Sequence, residues 1–342
     1  MSIRRRVSIA VTICASGGLL AACGPPMSGG NSTPPSPVAF VANLGSANVS
    51  PITTSGNSVQ TAVPAGTSPV QVAGLPSGAD VYVTNETDGT VSEIDSSKNS
   101  VVGNPITVGA SPFGITVCSN SNAYVANTGS GTVSVINTST NSISATIAVG
   151  GSPVGIACSP DGSTVYVTKF GATPAGATGL QSNEPGTVTP INTSNNQVGP
   201  AIAVGDGPYG VCFSKDSSTA FVTNSGSGTV SVVTRSSGSV IETTPVGTWP
   251  VACALTPDGS QLLVTNELSG TVNFISTGSD QVSSTVDVGS DPEGVAISPD
   301  GTTAYVTNSG AGSVSVIAIS SLTVSSTLSV GKNPVGIAIV TP

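Results

Sequence analysis

Tyr82-Val83-Thr84-Asn85 returns as Tyr124-Val125-Ala126-Asn127, Tyr166-Val167-Thr168-Lys169 and Tyr305-Val306-Thr307-Asn308. With Phe or Leu in first place it also appears as Phe40-Val41-Ala42-Asn43, Phe221-Val222-Thr223-Asn224 and Leu263-Val264-Thr265-Asn266. The closing residues stand 42, 42, 42, 55, 42 and 42 positions apart. A second marker, a Pro opening an apolar run, recurs at Pro69, Pro112, Pro153, Pro208, Pro250, Pro292 and Pro334. Both markers count seven.

Each unit resolves into four short strands separated by turn residues. The first two are typified by Pro153-Val-Gly-Ile-Ala-Cys158, the turn Ser159-Pro-Asp-Gly162, and Thr164-Val-Tyr-Val-Thr168. The last two are typified by Thr132-Val-Ser-Val-Ile136 and Ile143-Ser-Ala-Thr-Ile-Ala-Val149, where Val and Ile alternate with small polar residues. Such a unit has two faces to bury and cannot bury both alone. Four-stranded units of about 40 to 50 residues stacked around an axis are the mark of a propeller. The expected fold is therefore all-β, a seven-bladed β-propeller with four-stranded antiparallel blades. The repeat begins at its second strand, Val38–Asn43, and the missing first strand appears as Pro334–Val340. Pairing of these N- and C-terminal strands would close the ring and remove two exposed edges.

These residues resemble the YVTN family of β-propeller repeats, found in exported and surface proteins of bacteria and archaea. The resemblance covers residues 38–342 and specifies the fold while leaving function open. A WD40 propeller is disfavoured by the single Trp and the lack of a repeated Trp-Asp pair.

Upstream of the repeats, Arg4, Arg5 and Arg6 precede the apolar run Val7–Leu20, the two leading regions of an export signal. The run is shorter than a membrane span and is interrupted by Ser, Thr and Gly. It ends in Leu20-Ala21-Ala22-Cys23, which resembles the lipobox of bacterial lipoprotein precursors. That resemblance implies a signal peptide over 1–22 and lipidation of Cys23. Residues 23–37 then hold the lipidated Cys and a Pro/Gly/Ser tether, and the expected location is the periplasmic or outer cell surface, with the membrane as partner through the lipid anchor.

The chain after the signal carries five basic against seventeen acidic residues. That sign repels phosphate, so no nucleic-acid partner is expected. The absence of His removes the commonest general base, metal ligand and nucleophile activator. No catalytic residue and no cofactor are expected. Most Ser- or Cys-nucleophile mechanisms are excluded, and a carboxylate or Lys mechanism has few candidates among 7% charged residues.

Several repeated features read as structural. The Asn that closes most repeats, as at Asn127 or Asn224, is a turn-forming residue, and Lys169 breaks any ring of seven ligands. The repeated Tyr supplies blade-to-blade packing. Asp161-Gly162, Asp258-Gly259 and Asp300-Gly301 each lie in a Pro-Asp-Gly hairpin turn with too few oxygens for calcium, and no metal is expected. Gly-rich pieces such as Gly129-Ser-Gly131 lack the following helix that a phosphate loop needs. Cys118, Cys158, Cys212 and Cys253 fall on the innermost strands of four successive blades. Strand alternation turns 118 toward 158 and 212 toward 253 for one sense of blade packing. Both disulfides and small buried core residues fit these Cys.

Departures from the repeat point to a site. Thirteen extra residues fall within Phe170 to Gly186, between the second and third strands of one unit, on the face where chains enter the innermost strands. Residues flanking the opening Pro are mostly small or aliphatic, but later repeats carry Asp206, Tyr209, Trp249, Asp291 and Glu293, with Glu184 in the insertion. An aromatic cluster flanked by carboxylates suits a cationic or sugar-like ligand. The alternative is that Tyr209 and Trp249 fill a gap beneath the insertion. The leading expectation is a lipid-anchored envelope module that binds a protein or small ligand on its propeller face. The alternative is a propeller enzyme of lactonase or lyase type, which usually needs His, Glu or Arg around the channel.

Overall fold

The computed structural model describes residues 36–170 and 185–342. Those residues form seven antiparallel sheets, each one blade of a propeller. Blade 2 is typical, running from the axis outward through Pro69–Gly74, Asp80–Asn85, Thr90–Asp95 and Ser100–Thr107. The only helix among the described residues is the single turn Leu44–Ser46. No described helix is long and apolar enough to cross a membrane.

Blade 1 is assembled from both ends of the repeat array. Pro334–Val340 pairs antiparallel with Val38–Asn43, setting Val340 opposite Val38 and Pro334 opposite Asn43, and Asn48–Thr53 continues the sheet. The expected closure is thus present. The fourth strand of this blade is split into Ser58–Val59 and Val63–Pro64, where a continuous strand was expected. Blade 4 flanks the insertion with Thr164–Phe170 and Pro185–Asn192, paired up to Lys169 opposite Thr187.

The core is divided among the seams. One apolar cluster fills each of the seven interfaces between neighbouring blades. The first residue of each motif, Phe40, Tyr82, Tyr124, Tyr166, Phe221, Leu263 or Tyr305, lies in the seam toward the next blade, none more than 3% exposed. Burying a side chain of this size is worth roughly 1.5–3 kcal/mol, so the first motif position is a main source of seam cohesion.

The third position has a different task. Every innermost strand carries a β-bulge just after its opening Pro. In blade 6 the residues Val251 and Ala252 face the single residue Thr265, which leaves the Ala252 N–H outside the ladder. That N–H donates to Thr265 Oγ1 at 3.0 Å, and the Thr265 hydroxyl donates in turn to the Glu293 carbonyl of blade 7 at 2.7 Å. Thr84, Thr168, Thr223 and Thr307 make the same inter-blade bond to Phe113, Tyr209, Val251 and Val335, at 2.6–2.8 Å. In blade 4 the second bulge position is Gly155, where a Cβ would lie 2.0 Å from the Tyr209 carbonyl oxygen, while Gln71 and Ala252 hold the equivalent place in blades 2 and 6.

The closing Asn is structural, but by a route other than a turn. Asn43, Asn85, Asn127, Asn224, Asn266 and Asn308 are fully buried strand residues and have no left-handed backbone. Asn127 Nδ2 donates to Thr132 Oγ1 and Ser134 Oγ on the next strand, while its Oδ1 accepts from Gly109 N on the loop entering the blade. Lys169 instead donates through Nζ to the Val149 carbonyl at 2.7 Å. The Asp-Gly turns are hairpins as expected. In the first of them Asp161 Oδ1 accepts from the Ser159 hydroxyl and from the Ser163 N–H, and Gly162 has φ +71°.

The four Cys lie in two seams, and Cys253 also lines the channel. Cys118 and Cys158 approach to 5.6 Å at Cα, and Cys212 and Cys253 to 6.1 Å, with both sulfur pairs at bonding distance. Cys118 lies one residue beyond the strand Pro112–Val117, its N–H held by the Asn122 carbonyl at 2.9 Å.

Deleting residues 334–342 should abolish the single cooperative melt of the whole ring, because every blade depends on its neighbours. An unchanged melting midpoint by circular dichroism would contradict the closure. Alkylation of the unfolded, unreduced protein followed by peptide mapping should recover 118 linked to 158 and 212 linked to 253. Four alkylated Cys at these positions would show that the pairs are not bridged.

Candidate functional site

The bulges decide which side chains enter the axial channel. Two residues face one at each bulge, so the residue after the opening Pro is turned toward the axis rather than into a seam. Around the ring this position holds Val70, Phe113, Val154, Tyr209, Val251, Glu293 and Val335. Four of the seven are Val, so Phe113, Tyr209 and Glu293 are the departures. Their backbone carbonyls are the ones bound by Thr84, Thr168 and Thr265, which ties each departure to the preceding blade.

A second ring lies just above. The residue after the motif's closing position is Leu44, Glu86, Thr128, Phe170, Ser225, Glu267 or Ser309. Its N–H donates to the residue preceding the opening Pro, as from Glu86 to Ser68 and from Glu267 to Trp249, both at 2.9 Å. At this position Thr128 and Ser225 give their hydroxyls to the Pro153 and Pro250 carbonyls of the next blade. Glu86 and Glu267 replace that hydroxyl with a carboxylate.

The channel holds a cavity of about 210 Å³ that is lined by residues of the first ring. Gln71, Phe113, Tyr209 and Glu293 line it among backbone and Val and Ile side chains. The Phe113 and Tyr209 rings meet edge to face across the channel with centroids 5.7 Å apart. Phe170 stands 6.4 Å from both Tyr209 and Trp249. Trp249 is half-buried and has φ +59°, a backbone conformation that bulky side chains seldom adopt. Its counterparts before the other opening Pro residues include Ser68, Ser111, Gly207, Asp291 and Asn333, all of them small or polar.

The electrostatics of the mouth are one-sided. Glu293 keeps a face on the channel while its carboxyl is almost wholly enclosed, and burial, followed by the Glu267 and Asp291 charges, pushes it up to about 8. Burial, then the Asp291 charge, raises Glu267, and burial alone raises Glu86. The Tyr209 hydroxyl is held well above its usual range by burial, then by Glu293, Glu267 and Glu86. No described side chain hydrogen-bonds or ion-pairs with the Glu86, Glu267 or Glu293 carboxylates. Arg235 is engaged elsewhere, 2.7 Å from Asp161 at a hairpin on the opposite face of the ring.

Of the residues singled out in the sequence, Tyr209 and Glu293 line the cavity, Asp291 acts on it through its charge, and Trp249 borders it through Phe170. Asp206 sits on the loop entering blade 5, its N–H bound to Ser227 Oγ, and is not among the cavity-lining residues. Glu184 and Cys23 lie outside the described residues. Gln71 and Phe113 also line the cavity, Phe170 stands near Tyr209, and Glu86 and Glu267 act on it through their charges; the sequence reading singled out none of these five. Phe113 occupies the same post-Pro position as Tyr209. Glu86 and Glu267 became visible only once the position after the closing Asn was known to face the same mouth. No group of three or more acidic or Cys side chains among the described residues is arranged to hold a metal ion.

Comparison with known proteins agrees with this architecture. Residues 194–301 match the family model of YNCE-like β-propellers. Hydrazine synthase of Kuenenia stuttgartiensis superposes with a TM-score of 0.68 at 21% identity, covering 80% of this chain and 95% of that one. A protein of unknown function from Desulfotomaculum acetoxidans gives a TM-score of 0.75 at 16% identity over 89% and 99% of the two chains. A presumed 6-phosphogluconolactonase from Bacteroides fragilis gives 0.71 at 18% identity over 89% and 98%. No curated protein sequence matches the chain. At these identities the solved structures speak for the fold alone. The chain is a seven-bladed β-propeller whose residues 194–301 match the YNCE-like family, a close variant of the YVTN-repeat family that its motif resembles.

Proposed function

We propose that this propeller is a binding module, held at the cell envelope by lipid on Cys23, that takes a small ligand at the acidic, aromatic mouth of its channel. The observation that carries the reading is Glu293. The same position holds Val in four of the seven blades, so the fold has no need of a carboxylate there. This one is enclosed without a described cationic partner, an arrangement that costs stability when the group ionises. Residues kept at such a cost mark functional sites. Trp249, a bulky residue in left-handed backbone beside the same mouth, points the same way.

A binding role is favoured over catalysis by residue chemistry. The chain has no His, and the one Arg after the signal region lies on the far face. The fold is shared with a presumed 6-phosphogluconolactonase, but the acidic groups at this mouth, Glu293 with the nearby Glu267 and Asp291, would repel a phosphorylated substrate.

Thermal-shift screening against a panel of sugars, amines, amino acids and carboxylic acids should find at least one compound that raises the melting temperature. Trp249→Ser should abolish that shift while changing stability by no more than about 1 kcal/mol, since Ser68 and Ser111 already hold the equivalent left-handed position. Between about pH 4.5 and 8 the folded protein retains a proton on Glu293 that the unfolded chain has lost, so stability falls as pH rises through that window. Glu293→Gln should therefore stabilise the protein at pH 8.5, by on the order of 2 kcal/mol, and leave it unchanged at pH 4. No ligand shift in the whole panel would overturn the binding reading, and turnover of a panel compound would overturn the absence of catalysis.

Labelled fatty acid should enter the protein in growing bacterial cells and be lost in Cys23→Ser. Failure of the wild type to take up label would remove the lipid anchor from this proposal.

A further inference from the structure

We propose that the ligand of the channel mouth is a small organic cation, its charge held against the aromatic pair Tyr209 and Phe113 and beside the carboxylate of Glu293. This rests on the binding role above and specifies the chemistry of its ligand.

The sign of the site comes first. The carboxylates of Glu293, Glu267 and Asp291 repel one another when ionised, and those of Glu293, Glu267 and Glu86 oppose ionisation of the neutral Tyr209 hydroxyl. No basic group contributes to any of them. Lys169, on the same face, is spent on the Val149 carbonyl, and Lys332, on the loop entering blade 1, is exposed to solvent. The remaining residues that face Glu293 from neighbouring blades, including Gln71, Val251 and Val335, are uncharged. A cation placed here would relieve every repulsion at once, whereas an anion would add to each.

The chemistry of the walls narrows the class. A metal ion needs several oxygens at one point, and no described carboxylates are grouped in that way. A sugar needs several donors and acceptors in matched positions, yet the cavity walls offer as side-chain donors only the Gln71 amide, the Tyr209 hydroxyl and the protonated Glu293 carboxyl, against side chains that are mostly Val and Ile. Aromatic rings beside carboxylates instead suit a cation that carries apolar substituents, because the ring quadrupole attracts charge while the ring surface covers carbon. The 210 Å³ of the cavity equals the share of roughly seven liquid waters, which fits a ligand of five to ten heavy atoms.

Binding should be linked to a proton. A bound cation favours the ionised form of Glu293, so at neutral pH the site releases a proton as it fills. Affinity then rises with pH until Glu293 is ionised in the free protein as well.

Choline, with seven heavy atoms and a quaternary ammonium, tests the class against its neutral carbon isostere 3,3-dimethylbutanol in titration calorimetry with the full-length protein. Choline should bind saturably, its affinity should rise roughly ten- to thirtyfold between pH 6.5 and 9, and buffers of different ionisation enthalpy should reveal proton release at pH 7. The isostere should bind at least tenfold more weakly. Glu293→Gln, verified as folded by its melting curve, should abolish the pH dependence and the released proton. Binding of the isostere as tightly as choline, or choline binding that is equally tight and pH-independent in Glu293→Gln, would overturn the cation. The same follows if choline and n-butylammonium both fail to bind while a sugar or carboxylic acid produces a Trp249-dependent thermal shift, and in that case the binding role itself stands. Failure of every compound overturns both.

Discussion

A single threonine hydroxyl, placed opposite a β-bulge, is the interaction on which the ring turns. The bulge frees one backbone N–H from the ladder, and a freed N–H inside a protein must be satisfied. Thr265 accepts it and passes its own proton to the Glu293 carbonyl of the next blade. One short side chain thereby repairs a local defect and joins two sheets. Five of the seven motifs carry this Thr, while Ala42 and Ala126 occupy the place in the other two. Apolar packing in the seams supplies more free energy, but packing alone does not fix the angle or the height of one blade against the next. A directional bond repeated around the ring does.

That same bulge creates the candidate site. By turning the residue after each opening Pro toward the axis, it converts one position per repeat into channel lining. The repeat tolerates any side chain there that does not strain the ring, and most blades carry Val. Phe113, Tyr209 and Glu293 are variations on a position that the fold leaves open, held by the same Thr-to-carbonyl bonds as the rest. The scaffold is uniform and the candidate site is where uniformity lapses, on an architecture shared with a protein as different as a hydrazine synthase.

The low charge of the chain sharpens the contrast. With only 7% charged residues, most of the surface is Ser, Thr, Asn and Gly, and much of the acid is used in the hairpin turns. Asp216 and Asp258 are held down to about 2 in those turns, chiefly by the hydroxyls of Ser214 and Thr256. Turn carboxylates are thus stabilised as anions, while those at the channel mouth are pushed the other way by burial and by one another.

Periodicity alone yields the number of blades, the four-strand plan, the closure through Pro334–Val340 and the seam packing of the first motif residue. Periodicity carries that information, because burial in a repeat protein is a nearest-neighbour matter and every copy restates it. It also exposed Tyr209, Trp249, Asp291 and Glu293 as departures beside the opening Pro. Only the tertiary structure decided that Glu86 and Glu267, following a different marker more than a strand away, share the mouth with them. It decided as well that Asp206, equally irregular in sequence, stays out of the cavity, and that the closing Asn works as a buried bridge between strands rather than in a turn. The reason is that a repeat fixes contacts between adjacent strands and blades, whereas the channel gathers residues from all seven blades at once. Convergence of that kind has no period to be read.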